Sequence, residues 1–438
     1  MSAGKKLRSK LLSAYISEGA RRRSRTWYET RRKLTGGAHT VTAFLQLDDP
    51  YSYLLSQYLP ALAEHYDVEL QVRLSEARGG EFHPAPEMLA EYAGTDSRRV
   101  AFELGIPFLD HGTTPPVEHR RGLLDYLADV TEVAEICRVF ELYWRGDVAA
   151  AARLAGDGRD GAGDAAVAES QRELQKLGHY NSGMLYYGGE WFWGIDRLGH
   201  LMARLDDLGL AEGTNARLAS IGQVLQVDLP VMPPAAAKDL PPLDLFFSFR
   251  SPYSYLCLQR VYELADAFNL DLVLRPVLPM VMRGLEVPPD KMRYIVRDAM
   301  REAELHGIPF GDCIDPVGDG VERCHAVFAY ALTENRAREF ALHASELIWS
   351  GGIDVATDKG LRKVTAKTGL FWPEVSKTLE SDDWRDAEAE NRQLMLSLGS
   401  WGVPTLCLGD FVAWGQDRVW LLARHLEELC DTGEGILV

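Results

Sequence analysis

Ser251 is the residue of this chain best placed to do chemistry. It follows the apolar run Leu243–Phe249 and Arg250, and it precedes Pro252-Tyr253-Ser254. Proline at that place marks the first residue of a helix, where its missing N–H does no harm. Ser251 therefore lies at a strand-to-helix turn, where unpaired N–H groups and the helix dipole favour an anion. A hydroxyl there has two uses. It caps the helix, as serine very often does, or it donates a hydrogen bond to a thiolate carried by another molecule. Dithiol exchange is excluded at this turn, because it needs thiols of lowered pKa and Ser251 and Ser254 stand where a C-x-x-C pair would. Arg250 adds a cation that either lowers a thiol pKa and binds an anion, or is exposed without a role.

The elements that position this turn occur twice. Pro50-Tyr51-Ser52-Tyr53-Leu54 returns as Pro252-Tyr253-Ser254-Tyr255-Leu256, an offset of 202 residues. The same offset pairs Arg73 with Arg275, Tyr92 with Tyr294, Asp96 with Asp298, Arg99 with Arg301, and Gly105–Phe108 with Gly307–Phe310. Later Trp193-Gly194-x-Asp196-Arg197 answers Trp414-Gly415-x-Asp417-Arg418 at an offset of 221, so the second copy carries about 19 more residues in its middle. Register kept over so long a stretch is a duplication. Each copy reads as an apolar strand (41–47; 243–249), a helix opening on proline, and a second strand (68–74; 270–275). A long helical middle follows, broken in the first copy at 156–164. Two short strands (near 185–187 and 191–193; 405–408 and 411–414) and a closing helix complete it. That order predicts an α/β protein of two tandem thioredoxin-like domains, each a mixed central sheet with an inserted helical subdomain. The predicted boundaries are a basic helical arm at 1–38, a first domain at 39–226, a proline-rich linker at 227–242 and a second domain at 243–438.

Ser251–Leu256, Gly402-Val403-Pro404-Thr405 and Trp414–Arg418 together resemble the family of 2-hydroxychromene-2-carboxylate isomerases and kappa-class glutathione transferases, in the DsbA-like branch of the thioredoxin superfamily. Lys291-x-x-Tyr294, Asp298, Arg301 and Gly307-x-Pro309 match its middle helices. The resemblance covers 243–430 well and 41–208 weakly. It implies glutathione as cosubstrate and no metal. It implies that Ser251 holds the glutathione sulfur as thiolate, and that Pro404 is a cis-proline whose preceding Val403 offers backbone groups to the cysteinyl part. It also implies that Gln416 and Asp417 bind the γ-glutamyl end, with Asp417 facing its α-amino group. A proline turn for Pro404 and a helix cap for Asp417 are the plain structural alternatives. The chain departs from the isomerases at Met282-Arg283-Gly284-Leu285-Glu286, where Arg283 could meet a carboxylate substrate; Arg250 and Tyr253 complete the expected substrate side. Phe247, Phe249, Tyr253, Trp401 and Trp414 would suit a flat organic molecule, or serve as core.

The first copy has Asp49 at the place of Ser251, where a carboxylate would repel a thiolate, and Gly183 at the place of Pro404. It is expected to be structural, covering the second copy or standing in for a dimer partner, with Asp49 as an acid/base group the alternative. The predicted activity is isomerisation of an aromatic-derived unsaturated keto acid, with glutathione transfer as its neighbour. A DsbA-like module that binds peptide without redox chemistry is the reading from another class.

Net charge is −17, which excludes a general nucleic-acid binder. Residues 1–38 hold eleven Lys/Arg against Glu18 and Glu29, leaving 36 basic and 62 acidic residues elsewhere. That arm reads as helix packed on or solvated beside the acidic body, with weak membrane-surface contact as the sharper alternative. Its residues include no apolar segment of secretory length, and the six cysteines form no C-x-x-C pair. A cytoplasmic protein with no transmembrane segment, with or without homodimerisation, is the expectation. Cys324-His325, near Cys313 and His306, lacks zinc-site spacing and reads as core.

Overall fold

In the computed structural model the described residues are 3–108, 119–225 and 240–432. The linker read at 227–242 lies, up to residue 239, outside them. The chain divides into two units, residues 22–227 and residues 228–437 together with 1–21; they are called here the first and the second domain.

The first domain has strands β1 (Thr40–Leu45), β2 (Glu69–Leu74), β3 (Met184–Tyr187) and β4 (Glu190–Trp193), in the sheet order β2-β1-β3-β4. In the second domain β5 (Leu243–Phe247), β6 (Leu272–Pro276), β7 (Thr405–Leu408) and β8 (Phe411–Trp414) repeat that order as β6-β5-β7-β8. The first two strands of each sheet are parallel and the remaining pairs antiparallel. Even the register is shared. Val41 lies opposite Leu70 and Leu243 opposite Leu272, the same pair 202 residues on. The expected α/β class, with two mixed sheets, is what the chain adopts.

The opening strand of the second domain is shorter than its apolar run. β5 stops at Phe247 because the next N–H, that of Ser248, donates to the Ser254 hydroxyl at 3.2 Å. Phe249 remains fully buried, its ring against Phe328 and Phe340 of the helical insert, so apolar patterning outlasts the strand. The helix that follows is continuous in the second domain, Pro252–Ala267, but split in the first into Pro50–Ser56 and Leu59–His65. Pro60, aligned with Tyr262, accounts for the break: it has no N–H to give and its ring meets the preceding turn.

The insert between the second and third strands holds helices Pro86–Glu103, Arg120–Leu127, Val133–Trp144, Val148–Asp157 and Ala162–Lys176 among the described residues of the first domain. In the second domain the insert comprises Pro289–Leu305, Asp319–Thr333, Ala337–Trp349, Asp358–Thr368, Trp372–Thr378 and Trp384–Ser397. The expected break at 156–164 falls between two helices. Gly158 is needed there, since a Cβ would lie 2.6 Å from the Tyr126 nitrogen.

The basic arm forms two helices. Ala3–Ile16 packs on the second domain, where the Ser9 hydroxyl donates to the Cys313 carbonyl at 2.6 Å and Arg297 lies over the Tyr15 ring. The helix Glu18–Thr35 packs on the first from Arg22 onward, with Arg25 bidentate to Glu190 at 2.7 and 3.1 Å. Trp27 and Leu34 face outward from it. Among the described residues no helix is long and apolar enough to cross a membrane.

Candidate functional site

The second domain brings Ser251 and the Val403-Pro404 turn together. Ser251 is the N-cap of Pro252–Ala267, and its hydroxyl oxygen accepts from the Ser254 N–H at 3.1 Å. The same hydroxyl points at the Val403 carbonyl, 3.5 Å away. Of the two uses open to a serine at this turn, capping is the one its hydroxyl performs here, while its O–H is directed at a backbone carbonyl. The Val403–Pro404 peptide is cis, as the resemblance implies. Val403 lies just outside the β5–β7 ladder, which begins at Thr405 opposite Phe246, so strand pairing does not consume its backbone. The Pro404 carbonyl accepts from Gly415 N at 2.9 Å, which ties the turn to the segment carrying Gln416 and Asp417.

Gln416 and Asp417 lie together but differ in exposure. Gln416 is buried at 1% accessibility and Asp417 is partly accessible. The Gln416 side chain accepts from Arg260 and donates to Glu302 at 2.7 Å and to Asp417. Of the expected γ-glutamyl pair, then, Asp417 faces outward while Gln416 is turned into the protein.

Arg250 is committed elsewhere. Its guanidinium grips Asp315 through two bonds of 2.8 Å. The Tyr253 hydroxyl donates to Asp298 at 2.8 Å, and Tyr294 and Arg301 bond the same carboxylate. Arg283 does reach the site's rim: it donates to the Trp401 carbonyl at 3.3 Å, two residues before Val403, and its buried Nε has no hydrogen-bond partner. The aromatic set separates. Phe247 and Phe249 are core at 0% accessibility, whereas Trp401, buried, and Trp414, half-buried, lie beside Gly402 with ring centroids 4.7 Å apart and planes tilted by 45°. Gly402 must be glycine, since a Cβ there would lie 2.5 Å from the Trp414 indole nitrogen.

Lys291 belongs to the motif Lys291-x-x-Tyr294. It shares with Tyr294, Asp298 and Arg301 one face of the helix Pro289–Leu305, by spacings of three and four. Burial lowers its ammonium pKa to about 8. Burial acts oppositely on the thiols, raising Cys407 to about 11 and Cys313 and Cys324 to about 12. These are not thiolates of the kind exchange chemistry uses.

The first domain holds a different constellation. Asp49 accepts from the Tyr51 and Ser52 N–H groups and from the Ser52 hydroxyl at 2.6 Å, so it fills its own helix-start turn. Burial raises its carboxyl pKa to about 6 against the lowering effect of those bonds. Gly183 has φ of +66°, which proline cannot adopt, and a Cβ there would lie 3.2 Å from the Asp49 carboxylate.

A strand-to-helix serine facing a cis-proline turn on a mixed sheet with a helical insert defines a class, and residues 242–427 match the family model of the DSBA-like thioredoxin domain. Among individual proteins, the chain is 28% identical over 199 residues to 2-hydroxychromene-2-carboxylate isomerase of Pseudomonas putida, a match covering 43% of this chain and 95% of that protein. It is 25% identical over 205 residues to glutathione S-transferase kappa 1 of Rattus norvegicus, covering 42% and 91%. A solved structure of 2-hydroxychromene-2-carboxylate isomerase aligns with a TM-score of 0.39 at 27% identity, covering 44% of this chain and 97% of that one.

Proposed function

We propose that the second domain is a glutathione-dependent isomerase acting on an aromatic-derived unsaturated keto acid, in the cytoplasm. The observation that carries this reading is the Ser251 hydroxyl, 3.5 Å from the Val403 carbonyl beside cis-Pro404, in the domain that has both residues and not in the one with Asp49 and Gly183. The two named relatives, an isomerase and a kappa-class transferase, support it.

The residues present fit glutathione. Ser251 offers an O–H at a helix N-terminus, which stabilises a sulfur anion without taking its proton. Val403 offers backbone groups outside the ladder, and Asp417 offers a carboxylate suited to an α-ammonium group. Glutathione would supply a nucleophilic sulfur able to add reversibly to an electron-poor double bond. Around it Trp401 and Trp414 would wall a flat substrate, and the guanidinium of Arg283 at the rim would bind a carboxylate. Arg250 and Tyr253, held by Asp315 and Asp298, shape the turn from behind. The first domain is read as structural. Transfer of glutathione to an electrophile shares the thiolate step and is the neighbouring activity.

The test is calorimetry with glutathione, read alongside the ultraviolet band of bound thiolate. Wild-type protein binds glutathione as thiolate; Ser251→Ala keeps binding and loses the band and turnover. A wild type without glutathione affinity overturns the reading in favour of a peptide-binding module.

A further inference from the structure

The duplication supplies an internal control for which buried polar groups the fold requires. Tyr253, Asp298 and Tyr294 of the second domain have counterparts in Tyr51, Asp96 and Tyr92 of the first, joined alike: Tyr51 donates to Asp96 at 2.9 Å and Tyr92 at 3.1 Å. That network survives in a domain without Ser251 or Pro404, so the fold needs it. The group beneath Asp417 behaves differently. Arg260, Glu302 and Gln416 are buried at 7%, 4% and 1% accessibility, and the aligned positions of the first domain hold Tyr58, Val100 and Ile195 at 0%, 0% and 3%. One fold has an apolar and a charged solution at the same three places.

Charge is the costlier solution. A buried ion network can be replaced by apolar residues of similar volume with little loss, and often with a gain in stability. The geometry shows what the charged version provides. Arginine only donates and an ionised carboxylate only accepts, so the Gln416 amide between them has a single orientation. Its oxygen takes the Arg260 N–H, and its NH₂ serves Glu302 at 2.7 Å and Asp417. Arg260 also donates to the Gln416 carbonyl at 3.1 Å, which fixes the backbone of the same turn. One oxygen of Asp417 is thereby anchored, and the direction of the carboxylate is set.

We infer that Arg260, Glu302 and Gln416 are positioning residues that aim Asp417 at the ammonium group of the ligand. The inference rests on the glutathione reading above, whose ligand carries its one ammonium on the γ-glutamyl end. The triad accompanies Ser251 and cis-Pro404, and it is absent where they are absent.

The first domain supplies the variant for the test. Arg260→Tyr, Glu302→Val and Gln416→Ile together install its apolar set. Calorimetry is run with glutathione and with glutaryl-cysteinyl-glycine, the same molecule lacking the α-amino group, beside a thermal melt. The triple variant is expected to melt at or above the wild-type temperature and to bind glutathione about tenfold more weakly. Its affinity for the des-amino analogue is expected to stay unchanged. Equal losses for both ligands, or none for either, overturn the inference while leaving the glutathione reading in place. A wild type that binds neither ligand overturns both. If the triple variant melts early, Gln416→Met, which keeps the side-chain length and removes the link to Asp417, is read by the same ratio of affinities.

Discussion

Arg250 grips Asp315 through two parallel bonds of 2.8 Å, and the corresponding corner of the first domain holds the opposite charges, Asp48 and Arg120, 3.1 Å apart. Asp48 aligns with Arg250. Arg120 opens the second described helix of its insert, and Asp315 lies in the loop four residues before the helix Asp319–Thr333. A corner that accepts either polarity is using the pair to join two segments rather than to present one sign of charge to a ligand.

That gives the first prediction. Arg250→Asp alone puts two carboxylates together and lowers stability by about 1 kcal/mol, the range for a partly exposed pair. Arg250→Asp with Asp315→Arg restores most of it, as a double-mutant cycle in urea unfolding will show. Glutathione affinity of the swapped protein stays within about threefold of wild type. A larger fall means that Arg250 meets the ligand directly.

Asp49 predicts a pH effect of definite sign. Its folded pKa is raised from 3.8 to about 6, so the folded state holds the proton more tightly than the unfolded one. The benefit is present below the unfolded value and is lost as pH rises through 6. At pH 7 the wild type therefore carries a partly buried charge. Asp49→Asn removes it and stabilises the protein by about 1–2 kcal/mol near neutral pH, a gain that vanishes near about pH 4. Urea unfolding at the two pH values measures the difference.

His325 acts in the opposite direction. Buried against Trp384 and Phe249, it has a pKa lowered to about 3. The unfolded chain takes up the proton first, so stability is full above the ordinary value of 6.5 and is lost as pH falls below it. The slope from this one group is about 1.4 kcal/mol per pH unit. His325→Gln, which does not titrate, flattens the dependence of the urea midpoint between about pH 6 and pH 4. An unchanged slope assigns the acid sensitivity to other groups.

Much of the fold is legible because duplication gives every weak signal a second reading. β7 and β8 fall on the residues expected, 405–408 and 411–414, and the cis peptide falls at Pro404. Local pattern misses what tertiary partners decide. Nothing near Arg250 announces Asp315, 65 residues away, and nothing near Gln416 announces Arg260 and Glu302. Phe247 and Phe249 look the same in sequence as aromatics lining a site. Only the insert folding over them makes them core.

The hydrogen bond from Ser9 to Cys313 spans 304 residues of chain. On a ribosome the helix Ala3–Ile16 emerges before the first domain, yet the surface it packs on is made only after that whole domain has been synthesised. The second domain is thus assembled from both sides of the first, and a gene cut at the sequence boundary near residue 240 would strand its opening helix on the wrong fragment.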